Sequence, residues 1–222
     1  MKYMEFQGEG NYTVTQDLVY MIKLTDELLD PIKEEVNKIK KDFSAYDSLD
    51  ARDKLAGNLS KEFDIVDTRD HIEREIVIPA SSLWASTTGI INEFNPNSEF
   101  TKFKMTGCWV NFQQKHEFNP FHDHSGVFSW VLWLDIPYNI EDEVARHASV
   151  KSNSPSPGCF QFIYPTFSGC ASATIPVDKK YNGVLAVFRS STKHLVNPFY
   201  TSDDYRVTLA GNVCFDTGGN ND

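Results

Sequence analysis

Beyond Thr106 the chain breaks into short runs of β-branched and aromatic residues, at 108–114, 127–136, 159–164, 184–188 and 205–215, separated by clusters of Pro, Gly, Asn and Ser. Runs of this length, bounded by residues that reverse the chain, predict the strands of an all-β sandwich or barrel. The segment 152–158, Ser-Asn-Ser-Pro-Ser-Pro-Gly, is a loop within that region and not a domain linker, because strands continue after it.

The first half has a different texture. A short apolar run at 18–24 reads as a strand. Asp30-Pro31 then supplies an N-cap and a pre-set first turn, followed by apolar residues at helical spacing on one side, Leu28, Ile32, Val36, Ile39 and Phe43. A second helix is predicted from about 81 to 94, with Leu83, Thr87, Ile90, Ile91 and Phe94 on one face. The charged stretch 44–70 reads as short helix and loop. Helices followed by strands point to helices packed on one sheet of a β-sandwich. With 222 residues, 41% of them hydrophobic, the chain can bury a sizeable core. The predicted organisation is therefore an N-terminal helical and strand extension, 1–105, packed on a β core, 106–222, in one structural domain overall.

Alternation along the last strand separates two faces. Tyr205, Val207, Leu209, Val213 and Phe215 share one and face helices; Arg206, Thr208, Ala210 and Asn212 share the other and point into the sandwich. An arginine there is costly unless an anion meets it. The anion is either a ligand carboxylate, which suits a bidentate guanidinium, or an internal Asp or Glu in a structural ion pair.

The same alternation bears on Asn119-Pro120-Phe121-His122-Asp123-His124. In extended backbone His122 and His124 project to one side and Asp123 to the other, so the two imidazoles can share a metal. His194, after the buried-looking run 184–188 and before the turn at Asn197-Pro198, is a candidate third ligand. Such ligands suit Fe(II), Zn(II), Mn(II) or Ni(II) alike. His71, His116 and His147 stand in polar surroundings and read as surface histidines. Phe121, Trp133 and Tyr164 are candidate pocket-lining aromatics, with the loop 138–157 framing the entrance.

Other classes are disfavoured. A formal net charge of −10 argues against nucleic acid, whose grip relies on many Lys and Arg. Residues 1–15 lack an apolar run of signal-peptide length, and no stretch approaches a membrane span, so a cytoplasmic protein without a membrane partner is expected. The four cysteines form no CxxC pair and read as buried free thiols. No Gly-rich phosphate loop or Ser/His/Asp triad spacing is present.

The stretch from Trp109-Val110-Asn111 to Gly126, with Ser129-Trp130-Val131-Leu132-Trp133-Leu134-Asp135-Ile136-Pro137, resembles the first half of the core in 2-oxoglutarate/Fe(II)-dependent oxygenases. The second half is matched by Gly183-Val184-Leu185-Ala186-Val187-Phe188-Arg189-Ser190-Ser191, then His194, Val196 and Pro198, then Asp203-Asp204-Tyr205-Arg206-Val207-Thr208. The likeness covers 106–215 and is greatest to short prolyl-hydroxylase-like members found in tailed phages of marine bacteria. It implies a double-stranded β-helix, or jelly roll, supported by helices on one sheet, and an Fe(II) dioxygenase acting as a hydroxylase with 2-oxoglutarate and O2. By position, His122, His124 and His194 would be the metal ligands. Arg206 would bind the distal carboxylate of 2-oxoglutarate, helped by Thr208 and more weakly by Asn111. A phage origin would put the protein in the host cytoplasm, and the primary substrate is left open. One departure is plain: the family's acidic ligand is replaced by His124, with Asp123 one residue away. Two other readings accompany this one. A cupin-like metal protein shares the jelly roll and the HxH, but no acid follows in 125–134. A catalytically silent binding or virion-associated protein could keep the fold alone.

Overall fold

The computed structural model describes residues 13–15, 18–89, 102–146 and 151–216. Its strands are β1 (Thr13–Thr15), β2 (Val19–Lys23), β3 (Glu62–Asp64), β4 (Phe103–Gln113), β5 (Asn119–His122) and β6 (Phe128–Asp135). They continue with β7 (Phe160–Thr166), β8 (Gly169–Ile175), β9 (Val184–Arg189), β10 (Lys193–Val196) and β11 (Arg206–Phe215). Two antiparallel sheets result, a seven-stranded one in the order β1-β2-β9-β6-β11-β4-β3 and a four-stranded one in the order β5-β10-β7-β8. From β4 to β11 the chain passes back and forth between the sheets, so β9-β6-β11-β4 faces β5-β10-β7-β8. That strand order is the double-stranded β-helix. β2 and β3 extend the larger sheet at its two ends, pairing with β9 and β4.

The six strands expected from the sequence are present as β2, β4, β6, β7, β9 and β11, β4 beginning five residues earlier than its run. β1, β3, β5, β8 and β10 are additional; β3 lies in the stretch expected to be only short helix and loop, whose helical part is a 3-10 segment, Phe43–Leu49.

Helices cover the outer face of the larger sheet. Helix α1 (Asp26–Lys41) buries Leu29, Ile32, Val36 and Ile39 against it. It starts a turn before the expected Asp30 cap, with Thr25 as its N-cap and Asp26 and Glu27 in a first turn that favours acidic side chains. Pro31 is thus inside the helix; Pro31 and Glu27 are both exposed, so water can take the carbonyl that the proline leaves unbonded. The second helix starts earlier still, as a π-helical segment, Ile72–Val77, running into α2 (Ile78–Thr88). Its buried side is Ala80, Ser81, Trp84 and Ala85, not the expected Leu83 and Thr87, which are exposed. The bulkiest ring decides the phase: Trp84, wholly buried, packs on Phe128 at 5.3 Å. Ile90, Ile91 and Phe94 of the expected face, and His147, lie outside the described residues. A short helix α3 (Ile140–Arg146) buries Glu143, whose carboxylate accepts from the backbone N–H groups of Tyr200 and Thr201 at 2.8 Å. No helix among the described residues is long and apolar enough to cross a membrane.

Two apolar cores follow. One, with Val110, Phe112, Val207, Leu209 and Val213, lies between the larger sheet and the helices. The other, with Val131, Trp133, Phe160, Phe162, Val184 and Phe188, lies between the sheets. Two other expectations change. His71 is half-buried, with Nε2 3.0 Å from the carbonyl oxygen of Leu28, and so ties the helices together. Of the free cysteines only Cys108 and Cys159 are buried; Cys170 is exposed.

At Gly211, where β11 passes between β4 and β6, an added Cβ would run into the carbonyl oxygen of Gly107 and lie 2.7 Å from the Trp130 ring. Gly211→Ala should therefore destabilise the protein by about 1–3 kcal/mol or more, the usual cost of overpacking, as measured by urea unfolding. Wild-type stability would show that the strands can separate freely there.

Candidate metal centre

Strands β5 and β10 pair so that His122 lies directly opposite His194, which places both side chains on one face. His124 follows two residues on, its backbone N–H held by the carbonyl of Ser190 at 3.0 Å. The ring centroids are 4.3 Å apart for His122 and His194, 4.9 Å for His122 and His124, and 5.1 Å for His124 and His194. One ligating atom from each lies within 4.8 Å of the others.

The surroundings fix these rings. His194 is buried, stacked on Phe160 at 5.3 Å and edge-on to Phe188 at 4.9 Å. Its Nδ1 is 2.9 Å from the carbonyl oxygen of Thr192, and Nδ1 of His122 is 2.6 Å from that of Pro120. A carbonyl only accepts, so Nδ1 carries the proton in both rings and Nε2 keeps its lone pair for a metal. Burial pushes all three imidazoles down in pKa. His124 falls to about 4, helped by neighbouring His122, and His194 to about 3, again with His122 as a further cause. At neutral pH no proton has to be displaced before a cation binds.

Asp123 takes no part in the group. Its exposed carboxylate is bound to Lys193 Nζ at 2.6 Å, and that contact holds its pKa below the usual range.

The same pocket contains Arg206, Thr208 and Asn111. Arg206 is 2% exposed, and its Nη1 donates to Tyr138 Oη at 2.7 Å and to the carbonyl of Gly158 at 3.0 Å, while Nε has no partner. No carboxylate pairs with it among the described residues. Burial pushes the Tyr138 phenol up to about 12, against the pull of Arg206, so it stays protonated and donates to Gly158. Thr208 lies on the same face of β11, opposite Asn111 of β4, whose Nδ2 is 3.3 Å from Thr208 Oγ1. Trp133 lines the pocket as expected; Tyr164 does not, and Phe121 is 55% exposed. Two residues went unread in the sequence. Tyr138 has no local signal. Glu62 lines the pocket from β3, and its charged neighbours gave it the look of a surface residue.

No protein-family model matches the chain, and no curated protein matches it. Among solved structures it is similar to a prolyl-4-hydroxylase from Pseudomonas putida, with 15% identity over 92% of this chain and 95% of that one and a TM-score of 0.46. It is also similar to a prolyl hydroxylase from Trichoplax adhaerens in complex with a hypoxia inducible factor peptide fragment, with 13% identity, 90% and 84% coverage and a TM-score of 0.49. A 2OG-Fe(II) oxygenase family structure from Burkholderia pseudomallei matches over 59% of this chain and 55% of that one, at 14% identity and a TM-score of 0.34. At these scores the likeness adds nothing to what the strand order establishes.

Two outcomes are expected of this centre. His122→Ala and His194→Ala should lose stoichiometric binding of Fe(II) or Zn(II) while Asp123→Ala keeps it, as read by metal titration; the opposite ranking would mean that Asp123 swings in as a ligand. The second concerns pH. Because the folded pKa values of His124 and His194 lie below the free value of 6.5, the unfolded chain takes up protons that the fold refuses as pH drops. Stability of the metal-free protein should be full above pH 6.5 and fall toward about pH 4 and about 3, where the folded rings themselves protonate. Denaturant melts across this window check it, and His124→Gln should flatten the slope.

Proposed function

We propose that the protein is an Fe(II)- and 2-oxoglutarate-dependent oxygenase that hydroxylates a substrate, a peptidyl side chain or a small molecule, with release of succinate and CO2. The observation that carries this reading is the meeting, in one pocket, of three neutral imidazoles with a buried guanidinium that no described carboxylate neutralises.

The donor set fits the metal. Imidazoles are borderline ligands suited to Fe(II), and three of them leave coordination positions open for co-substrates. His122 and His194 would bind through Nε2, with His124 as the third ligand. When bound, Fe(II) with 2-oxoglutarate and O2 supplies the oxidative decarboxylation coupled to hydroxylation of an unactivated carbon. The chain's own residues orient and shield. Arg206 receives the distal carboxylate, and Tyr138 and Gly158 hold the guanidinium in place by its Nη1. Thr208 accepts from Asn111 and keeps its own hydroxyl proton to donate to the same carboxylate. Trp133, Phe160 and Phe188 keep water from the reacting centre. Charge matches as well: neutral ligands leave the metal's two positive charges intact, and together with Arg206 they favour a dianion.

A metal-binding protein without turnover is the second reading, favoured by His124 standing where a carboxylate ligand is usual and by the commitment of Asp123 to Lys193. Succinate release in the presence of Fe(II), O2 and 2-oxoglutarate separates the two.

Arg206→Ala should weaken 2-oxoglutarate binding by about 2–5 kcal/mol, as expected for losing one partner of a buried charge-assisted contact, and leave Fe(II) affinity nearly unchanged. Calorimetric titration of the metal-loaded proteins decides; equal affinities in wild type and variant would remove the co-substrate assignment.

A further inference from the structure

Glu62 is 1% exposed, and neither of its carboxylate oxygens has a hydrogen-bond partner among the described residues. A solvated surface glutamate has no such difficulty, and a structural one is paired. Its place follows from register. β3 pairs with β4 so that Glu62 is opposite Asn111, and Asn111 is opposite Thr208 of β11. Opposed residues of antiparallel strands point to the same face, so Glu62, Asn111 and Thr208 form one polar row across the pocket side of the larger sheet. The next residue, Phe63, turns the other way into the helix-facing core.

The row ends in unused acceptors. Oδ1 of Asn111 is buried without a partner among the described residues, while the Nδ2 end of the amide donates to Thr208. Both oxygens of Glu62 complete a set of three acceptors with no donor. No cation among the described residues serves them. Arg52, the cation whose charge Glu62 feels, is committed to Asp50 at 2.5 Å and to the carbonyl of Ser60. Burial, with the like charges of Glu117 and Asp50, pushes Glu62 up to about 7. The carboxylate is therefore poised to gain from any cation brought into the pocket, which Leu55 and Ala56 wall off beside it and the three histidines line with it.

We propose that Glu62, with Asn111, binds a cationic nitrogen group of the primary substrate, an ammonium or a guanidinium, so that the substrate is a basic amino acid or a basic side chain. This rests on the oxygenase reading and names the substrate class for that site.

The test uses the full chain under anaerobic conditions with Fe(II) and 2-oxoglutarate, and calorimetric titration of L-lysine and L-arginine against L-norleucine and L-citrulline, whose side chains are neutral; all four carry the same α-ammonium and α-carboxylate, so a preference reports the side-chain cation. Wild type should prefer at least one cation over its counterpart by about tenfold or more, the lysine and arginine arms telling ammonium from guanidinium. Glu62→Gln should abolish that preference, leave 2-oxoglutarate affinity unchanged and melt at the same or a higher temperature, since it removes an unpaired buried charge. Equal binding of the probes with cationic and with neutral side chains to wild type, or a preference that survives in Glu62→Gln, overturns the inference. A Glu62→Gln variant that keeps the preference and melts lower makes the residue structural. Absence of 2-oxoglutarate binding to wild type would instead remove the oxygenase reading, whatever the amino-acid probes do.

Discussion

The register of β11 is the constraint on which the rest depends. This strand is paired on both sides, by β4 and β6, and buried on both faces, so it has no solvent face to absorb an error. Its odd positions, Val207, Leu209 and Val213, fill the core under the helices, and its even positions, Arg206, Thr208 and Ala210, line the pocket. A slip of one residue would carry the guanidinium into an apolar core and put valines in the pocket. Gly211 holds the three strands at close approach, and the row from Thr208 through Asn111 to Glu62 is set by the same pairing.

The smaller sheet does the equivalent for the imidazoles. His122 and His194 come together because β5 and β10 pair at those residues, and a ring of phenylalanines gives His194 a dry, fixed seat. Burial without a nearby carboxylate is what keeps the cluster neutral. A carboxylate in place of His124 would favour protonated neighbours and lower the charge left on a bound cation. Here the one adjacent acid is drawn to the surface by Lys193.

Much of this was legible because period-two alternation survives wherever a strand is long and half of it faces a core. It separated Arg206 and Thr208 from Val207 and Leu209, and turned Asp123 away from His122 and His124. Short elements escaped it. β8 reads Gly-Cys-Ala-Ser-Ala-Thr-Ile and β10 Lys-His-Leu-Val, too brief and too mixed to carry a pattern, and their strand character comes from β7 lying between them. The phase of α2 was misjudged because Leu83 and Trp84 compete for the inside and only packing on Phe128 decides. Glu62 was invisible for a similar reason: its sequence neighbours are charged, and its burial comes from a strand pairing with Asn111 that no local window contains.

The polar row also explains how two opposite charges can sit unpaired in one pocket. Arg206 and Glu62 stand on β11 and β3 with β4 between them, two strand spacings across the sheet and two residues along it, or about 12 Å apart between backbones. Side by side they would have neutralised each other, leaving nothing for a ligand. The intervening strand instead supplies Asn111, whose amide satisfies Thr208 and holds the row without bridging the charges. Each charge is then desolvated at a cost to the stability of the empty protein, a cost that only a ligand of opposite sign relieves. Under the proposed reading the pocket is bipolar by construction, taking a carboxylate at one end and a cationic nitrogen at the other. The order of strands β3, β4 and β11 keeps the two ends from cancelling.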